Sequence, residues 1–122
     1  MEYVDRSRLV HFLLQFIPNT LEPEILDYFG ELVVRVRGQK CLVVTQDGAV
    51  GIRATDTDLQ AEMEAICGDR HWVSQGRVYD RWYLLPKELP LNQAPVTEWI
   101  ASAAIGAEAL ANWQLQSRHH SR

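Results

Sequence analysis

Apolar residues at positions 9, 10, 13, 14 and 17 recur at the three-and-four spacing of a helix face, and Pro18 closes the run. A proline has no N–H to donate and pushes its predecessor out of the helical region, so the spacing predicts a helix ending there. The next stretch is read as a connector in which Thr20-Leu-Glu-Pro-Glu24 caps a short helix through Leu26 to Phe29 with Gly30 beyond it, or as irregular chain. From Glu31 the period shortens to two. Leu32, Val34 and Val36 fall on one face and Val33, Arg35 and Arg37 on the other, as a half-buried strand requires. Gly38-Gln39 turns the chain into Cys41-Leu-Val-Val-Thr45, apolar on both faces and therefore central. Asp47-Gly48, read as a tight type I′ turn, leads into Ala49-Val-Gly-Ile-Arg53.

The helical period then returns. Thr55 or Asp56 caps a helix whose stripe is Leu59, Met63, Ile66 and Cys67 and whose stop is Gly68. A second hairpin follows, with arms His71–Gln75 and Asp80–Leu85 joined through Gly76-Arg-Val-Tyr79 and ended by Pro86. Pro95 opens a closing helix from Val96 to about Leu115, striped by Val96, Trp99, Ile100, Ala103, Ala107 and Leu110. The expected order is α-β-β-β-α-β-β-α. It implies an α+β fold of two layers, helices on a five-stranded antiparallel sheet, with one domain over residues 1–116 and a flexible polar tail over 117–122.

Composition narrows the functional classes. The 122 residues suit one domain, and 47% hydrophobic with 23% charged residues is globular rather than disordered. No apolar run reaches the roughly 18 residues of a membrane span, and Met1-Glu-Tyr-Val-Asp5 lacks the build of a secretory signal, which points to the cytoplasm and away from membranes. Cys41 and Cys67 lie far apart, a pattern of buried free thiols rather than a disulfide or a zinc knuckle. The formal charge of −4 gives no global pull toward nucleic acid.

No P-loop, dinucleotide fingerprint or His-Glu-x-x-His motif is present, and no histidine stands beside a nucleophile, so no catalytic residue, cofactor or metal is expected. Two surfaces remain. Asp69, His71 and Asp80 form a candidate polar cluster if they converge at one end of the second hairpin; strand pairing and turn formation are the alternative reading of the same residues. The second is the sheet face turned away from the helices. If Val34, Val36, Val50 and Ile52 face the helices, Arg35, Arg37 and Arg53 point outward, joined by Arg81 and Tyr83. Such a face suits a protein partner, a second copy of the chain, or a phosphate backbone, and equally the solvated side of an antiparallel sheet.

Tyr28-Phe29-Gly30, Val50-Gly-Ile-Arg-Ala54, Trp82-Tyr-Leu-Leu-Pro86 and Glu98-Trp99-Ile100 with its Ala-rich continuation give the chain a resemblance over nearly its whole length. It resembles the N-terminal domain of the bacterial competence regulator TfoX, and more distantly the YjbR-like proteins and type III secretion chaperones. The run Leu26-Asp-Tyr-Phe-Gly-Glu31 departs from the Met-Phe-Gly-Gly run, preceded by an Arg, that family members often carry. The resemblance implies a regulatory or protein-interaction module without catalysis; the rival expectations are a nucleic-acid binder and a secretion-chaperone-like adaptor.

Overall fold

The computed structural model describes residues 2–120, with side chains described from Asp5 to Ser117. The chain runs α1 (Glu2–Leu14), a short 3-10 turn (Asn19–Leu21), β1 (Glu24–Tyr28), β2 (Glu31–Val36), β3 (Gln39–Val44), β4 (Val50–Arg53), α2 (Thr57–Cys67), β5 (His71–Ser74), β6 (Arg77–Leu84) and α3 (Val96–His120). The architecture is α+β with one antiparallel sheet, but six strands stand where five were expected, in the order β1-β2-β3-β4-β6-β5.

The additional strand is β1. Residues 24–28, read as connector or short helix, form an edge strand paired with β2 from Glu24↔Arg35 to Tyr28↔Glu31. Its turn, Phe29-Gly30, has both φ angles positive, at 53° and 84°. The same pair of left-handed residues recurs at Arg37-Gly38 and Gln75-Gly76. All three are two-residue hairpin loops of the twist that suits paired strands, with glycine second in each. Asp47-Gly48 is a different turn. Thr45 and Ala49 close a three-residue loop, the Thr45 carbonyl accepts from the Gly48 N–H at 2.9 Å, and only Gly48 has positive φ.

Two of these turns move predicted residues. The β2–β3 turn sits at Arg37-Gly38 rather than at Gly38-Gln39, so Arg37 belongs to the turn and not to the strand face. The second hairpin turns at Gln75-Gly76, and the expected connector Gly76–Tyr79 is mostly strand. The helices match their patterns more closely. In α1 the last turn tightens to i→i−3 bonds before Pro18, with Ile17 donating to the Leu14 carbonyl at 3.0 Å. In α2 the cap is Asp56, whose carboxylate accepts the Leu59 N–H at 2.7 Å, and Gly68 ends it. The tail expected to fray from Ser117 is helical to His120, and 121–122 lie outside the described residues.

All three helices pack on one sheet face. Val10 and Leu13 of α1, Leu59 and Met63 of α2, and Trp99, Ile100, Ala103 and Ala107 of α3 join Leu32, Val34, Leu42, Val44, Ile52 and Tyr83 in the main core. Trp99 keeps its indole N–H satisfied by the Glu62 carboxylate while its ring is buried. Small residues let α3 lie close: a Cβ built on Gly106 would meet the Thr55 side chain, 2.9 Å from its Cγ2. No helix among the described residues is long and apolar enough to cross a membrane.

Candidate functional site

The other sheet face has its own core, built from strand residues alone. Val33, Val43, Trp72 and Trp82 are buried there, with Leu26, Tyr28, Tyr79 and Leu84 packed around them. Strand alternation puts them together, since each lies one residue out of phase with a helix-facing neighbour such as Val34, Leu42 or Tyr83.

The sheet rolls around this face. From β1 to β6, and from β2 to β5, is four strand steps, about 19 Å on a flat sheet at roughly 4.8 Å per step. Yet the Tyr28 and Tyr79 hydroxyls lie 3.0 Å apart, and the Trp72 indole N–H donates to the Glu31 carboxylate at 2.8 Å. The centroids of Tyr28 and Trp72 are 5.8 Å apart. Only a sheet curled into a half-barrel brings these side chains into contact, and the curl explains why Trp72 is fully buried with no helix over it. Gly51 lies at the crowded floor, where a Cβ would come within 2.6 Å of Val43 Cγ1.

A bulge in β6 helps to place the rings. Pairing with β5 jumps from His71↔Tyr83 to Trp72↔Tyr79, leaving Asp80, Arg81 and Trp82 without β5 partners. Two of them are held on the other side instead, Trp82 by pairing with Arg53 of β4 and Arg81 by an Ala54 N–H to Arg81 carbonyl bond of 2.7 Å. Tyr79 then stacks on Trp72 at 4.3 Å and Trp82 tilts against it at 4.8 Å.

At one end of the half-barrel is a concavity of about 310 Å³ lined by Tyr28, Gly38, Gln39, Lys40, Arg53, Arg77, Tyr79 and Trp82. Three cations and no carboxylate line it. Lys40 Nζ sits 4.0 Å from the Tyr28 ring centroid, and the Arg77 guanidinium 4.9 Å from that of Tyr79. Arg53 is half-buried, donates to the Lys40 carbonyl at 3.2 Å, and is drawn below its ordinary pKa first by burial and then by the charge of Arg81. The ion pairs among the described residues belong to Arg35 and Arg37, so Lys40, Arg53 and Arg77 face the concavity without acidic partners. The Tyr28 phenol is held below its usual pKa, chiefly by its hydrogen bond with Tyr79 and then by Lys40 and Arg77, against burial. Tyr79 is raised, mostly by the same bond. The two phenols share one hydrogen bond, so whichever donates, the other hydroxyl keeps its proton free to donate.

Of the five residues expected on this face, the structure puts two there. Arg35 pairs with Glu24 at 3.1 Å, and Arg53 lines the mouth. Arg37 turns toward the helix side, donating to the Leu21 carbonyl at 3.1 Å and lying 3.7 Å from Glu108 of α3. Tyr83 is buried in the helix-side core, with Gln60 donating to its hydroxyl at 3.3 Å. Arg81 is exposed on the bulge. Lys40, Arg77 and the rings of Tyr28, Trp72, Tyr79 and Trp82 were missed as surface-forming residues; locating each X-Gly turn would have set their strand phase.

Asp69, His71 and Asp80 do not assemble. His71 Nδ1 donates to the Trp82 carbonyl at 3.1 Å and the ring packs on Tyr83, so a backbone oxygen rather than a carboxylate orients it. Asp69 and Asp80 are exposed, and no hydrogen bond joins either carboxylate to His71 among the described residues. No cluster of three metal-ligating side chains occurs among the described residues. Cys41 is buried, and desolvation pushes its thiol up to about 12, unlike an activated nucleophile. No family model, no curated protein and no solved structure matches the chain.

Proposed function

We propose that the chain is a non-catalytic interaction module, in line with its resemblance to the TfoX N-terminal domain, and that it binds an acidic segment of a partner protein at the mouth of the half-barrel. The observation that carries this reading is the lining of the mouth: Lys40, Arg53 and Arg77 around one concavity with no carboxylate among them. On a chain of net charge −4, cations left without acidic partners mark a local reversal of field, and such a reversal selects and steers an anionic partner.

Nucleic acid is the competing anion, and the rings argue against it. Sequence-tolerant binding of single strands needs free aromatic faces on which bases stack. Trp72 and Trp82 are 0% and 5% exposed, and Lys40 and Arg77 lie over the faces of Tyr28 and Tyr79. The aromatic groups are spent on one another and on the cations.

The test is calorimetric titration of the protein with a synthetic Asp/Glu-rich decapeptide and, separately, with oligo(dT), at two salt concentrations. The expected result is peptide binding that weakens with salt and is lost in the Lys40→Glu, Arg77→Glu double variant, whose changes fall on partly exposed side chains. Peptide binding untouched by that variant, or tighter binding of oligo(dT) than of the peptide, would refute the reading.

A further inference from the structure

We infer that the mouth is built for a doubly charged anchor, and that the acidic partner segment presents it as a phosphorylated serine. This rests on the reading just proposed and narrows its ligand. A carboxylate brings one negative charge, and a single Lys or Arg satisfies it. A phosphoserine brings about −1.5 to −2 charges at neutral pH and three strong acceptor oxygens, which several converging cations match.

The mouth offers that match. The cationic groups come from three separate strands, Lys40 from β3, Arg53 from β4 and Arg77 from β6, so the sheet itself fixes their convergence. The Arg53 guanidinium is anchored through one nitrogen, which donates to the Lys40 carbonyl at 3.2 Å and to the Gln39 side-chain oxygen at 3.5 Å. Lys40 lies over the Tyr28 ring and Arg77 over the Tyr79 ring, and the hydroxyls of those two rings are 3.0 Å apart, which sets the two cations around one spot. The Tyr28–Tyr79 pair, both lining the concavity, uses one O–H in its mutual bond and keeps the other as an uncharged donor. The floor beneath is Trp82, an apolar base that excludes water from one side of a bound group. A concavity of about 310 Å³ accepts a phosphorylated side chain and its flanking backbone but not a folded domain.

The experiment uses three versions of one acidic decapeptide, with a central serine, glutamate or phosphoserine, titrated into the full chain by fluorescence anisotropy. A further arm uses free O-phosphoserine as competitor. The phosphoserine peptide is expected to bind at least about tenfold more tightly than the glutamate peptide, an advantage of the size that extra charge-assisted hydrogen bonds confer. Lys40→Gln and Arg77→Gln should each remove most of that preference while leaving the thermal melt unchanged. Equal affinity for the phosphoserine and glutamate peptides would overturn this inference and leave the acidic-segment reading standing. Binding of none of the three would overturn both. Free O-phosphoserine competing as tightly as the peptide would overturn the peptide as the source of the phosphate.

Discussion

Glu31 and Trp72 hold the half-barrel shut, and cutting that link should cost the protein measurable stability. The indole N–H of a fully buried ring donates to a carboxylate 41 residues away at 2.8 Å. Glu31→Leu leaves that N–H without its acceptor. A hydrogen bond to a charged group contributes about 1.5–3 kcal/mol, and a buried donor left unpaired carries a desolvation penalty of similar size, so a loss of about 2 kcal/mol is expected. Glu31→Gln keeps an acceptor oxygen and should cost under about 1 kcal/mol. With a urea m-value of about 1.5 kcal/mol/M, the Glu31→Leu midpoint should fall by about 1.3 M with the slope unchanged. Trp72→Phe removes the donor from the other side. In a double-mutant cycle read by far-ultraviolet circular dichroism, Glu31→Leu and Trp72→Phe should couple by about 1–2 kcal/mol. Additivity within about 0.3 kcal/mol would show that the bond does not close the roll, and the account of the curled face would then be wrong.

Gly106 gives a test of opposite sign. Gly106→Ala gains about 1 kcal/mol of helix propensity but drives a methyl into Thr55, so a net loss of about 1–2 kcal/mol is expected by thermal melting, reversing to a gain in a Thr55→Gly background; a gain in the native background would refute the close approach. Cys41 should resist alkylation at pH 8 in the folded protein and react once urea unfolds it, as mass spectrometry would show. Its folded thiol is raised to about 12 by burial, while the unfolded thiol titrates near 8.5. Above that lower value the unfolded state binds fewer protons than the folded one, so stability should fall by up to about 1.4 kcal/mol per pH unit until about pH 12. Cys67, raised in the same direction, adds to the slope, and Cys41→Ala should flatten it; an unchanged slope in that variant would assign the pH dependence elsewhere.

What could be read from the residues alone divides by range. Helix α2 and its ends were legible because the signals are local: an apolar stripe, of which Leu59, Met63 and Cys67 are buried while Ile66 is exposed, an Asp56 carboxylate three residues from the N–H it accepts, and a glycine at the stop. Strand β1 was not, because Glu24–Tyr28 has no clean alternation, Pro23 suggests a connector, and Phe29-Gly30 lacks the Asn or Asp that usually announces a type I′ turn. A one-residue error at the next turn had a larger effect. With the turn set at Gly38-Gln39, Arg37 stays on the strand; at Arg37-Gly38 it swings toward α3, and Lys40 becomes the outward cation opposite Arg35. The β6 bulge did the same to the second hairpin, where Trp82 and Tyr79 share a face despite three residues of separation.

The roll could not be read at all, since its bonds join residues 41 and 51 apart across strands that are not neighbours. It also decides what kind of binder the sheet can be. On a flat sheet Tyr28, Trp72, Tyr79 and Trp82 would have presented a row of ring faces, and the stacking of bases or of a partner's aromatic groups would have been the natural use. Curled, the rings bury one another, with Trp72 and Tyr79 at 4.3 Å and cations over the remaining faces. At the mouth the ring faces are thereby occupied, and the charges of Lys40, Arg53 and Arg77 remain, which is what the proposed binding of an acidic segment would use. Recognition through charge set on rigid strands favours selectivity and fast encounter over area-driven affinity, so on the proposed reading a partner would be chosen by its own charge.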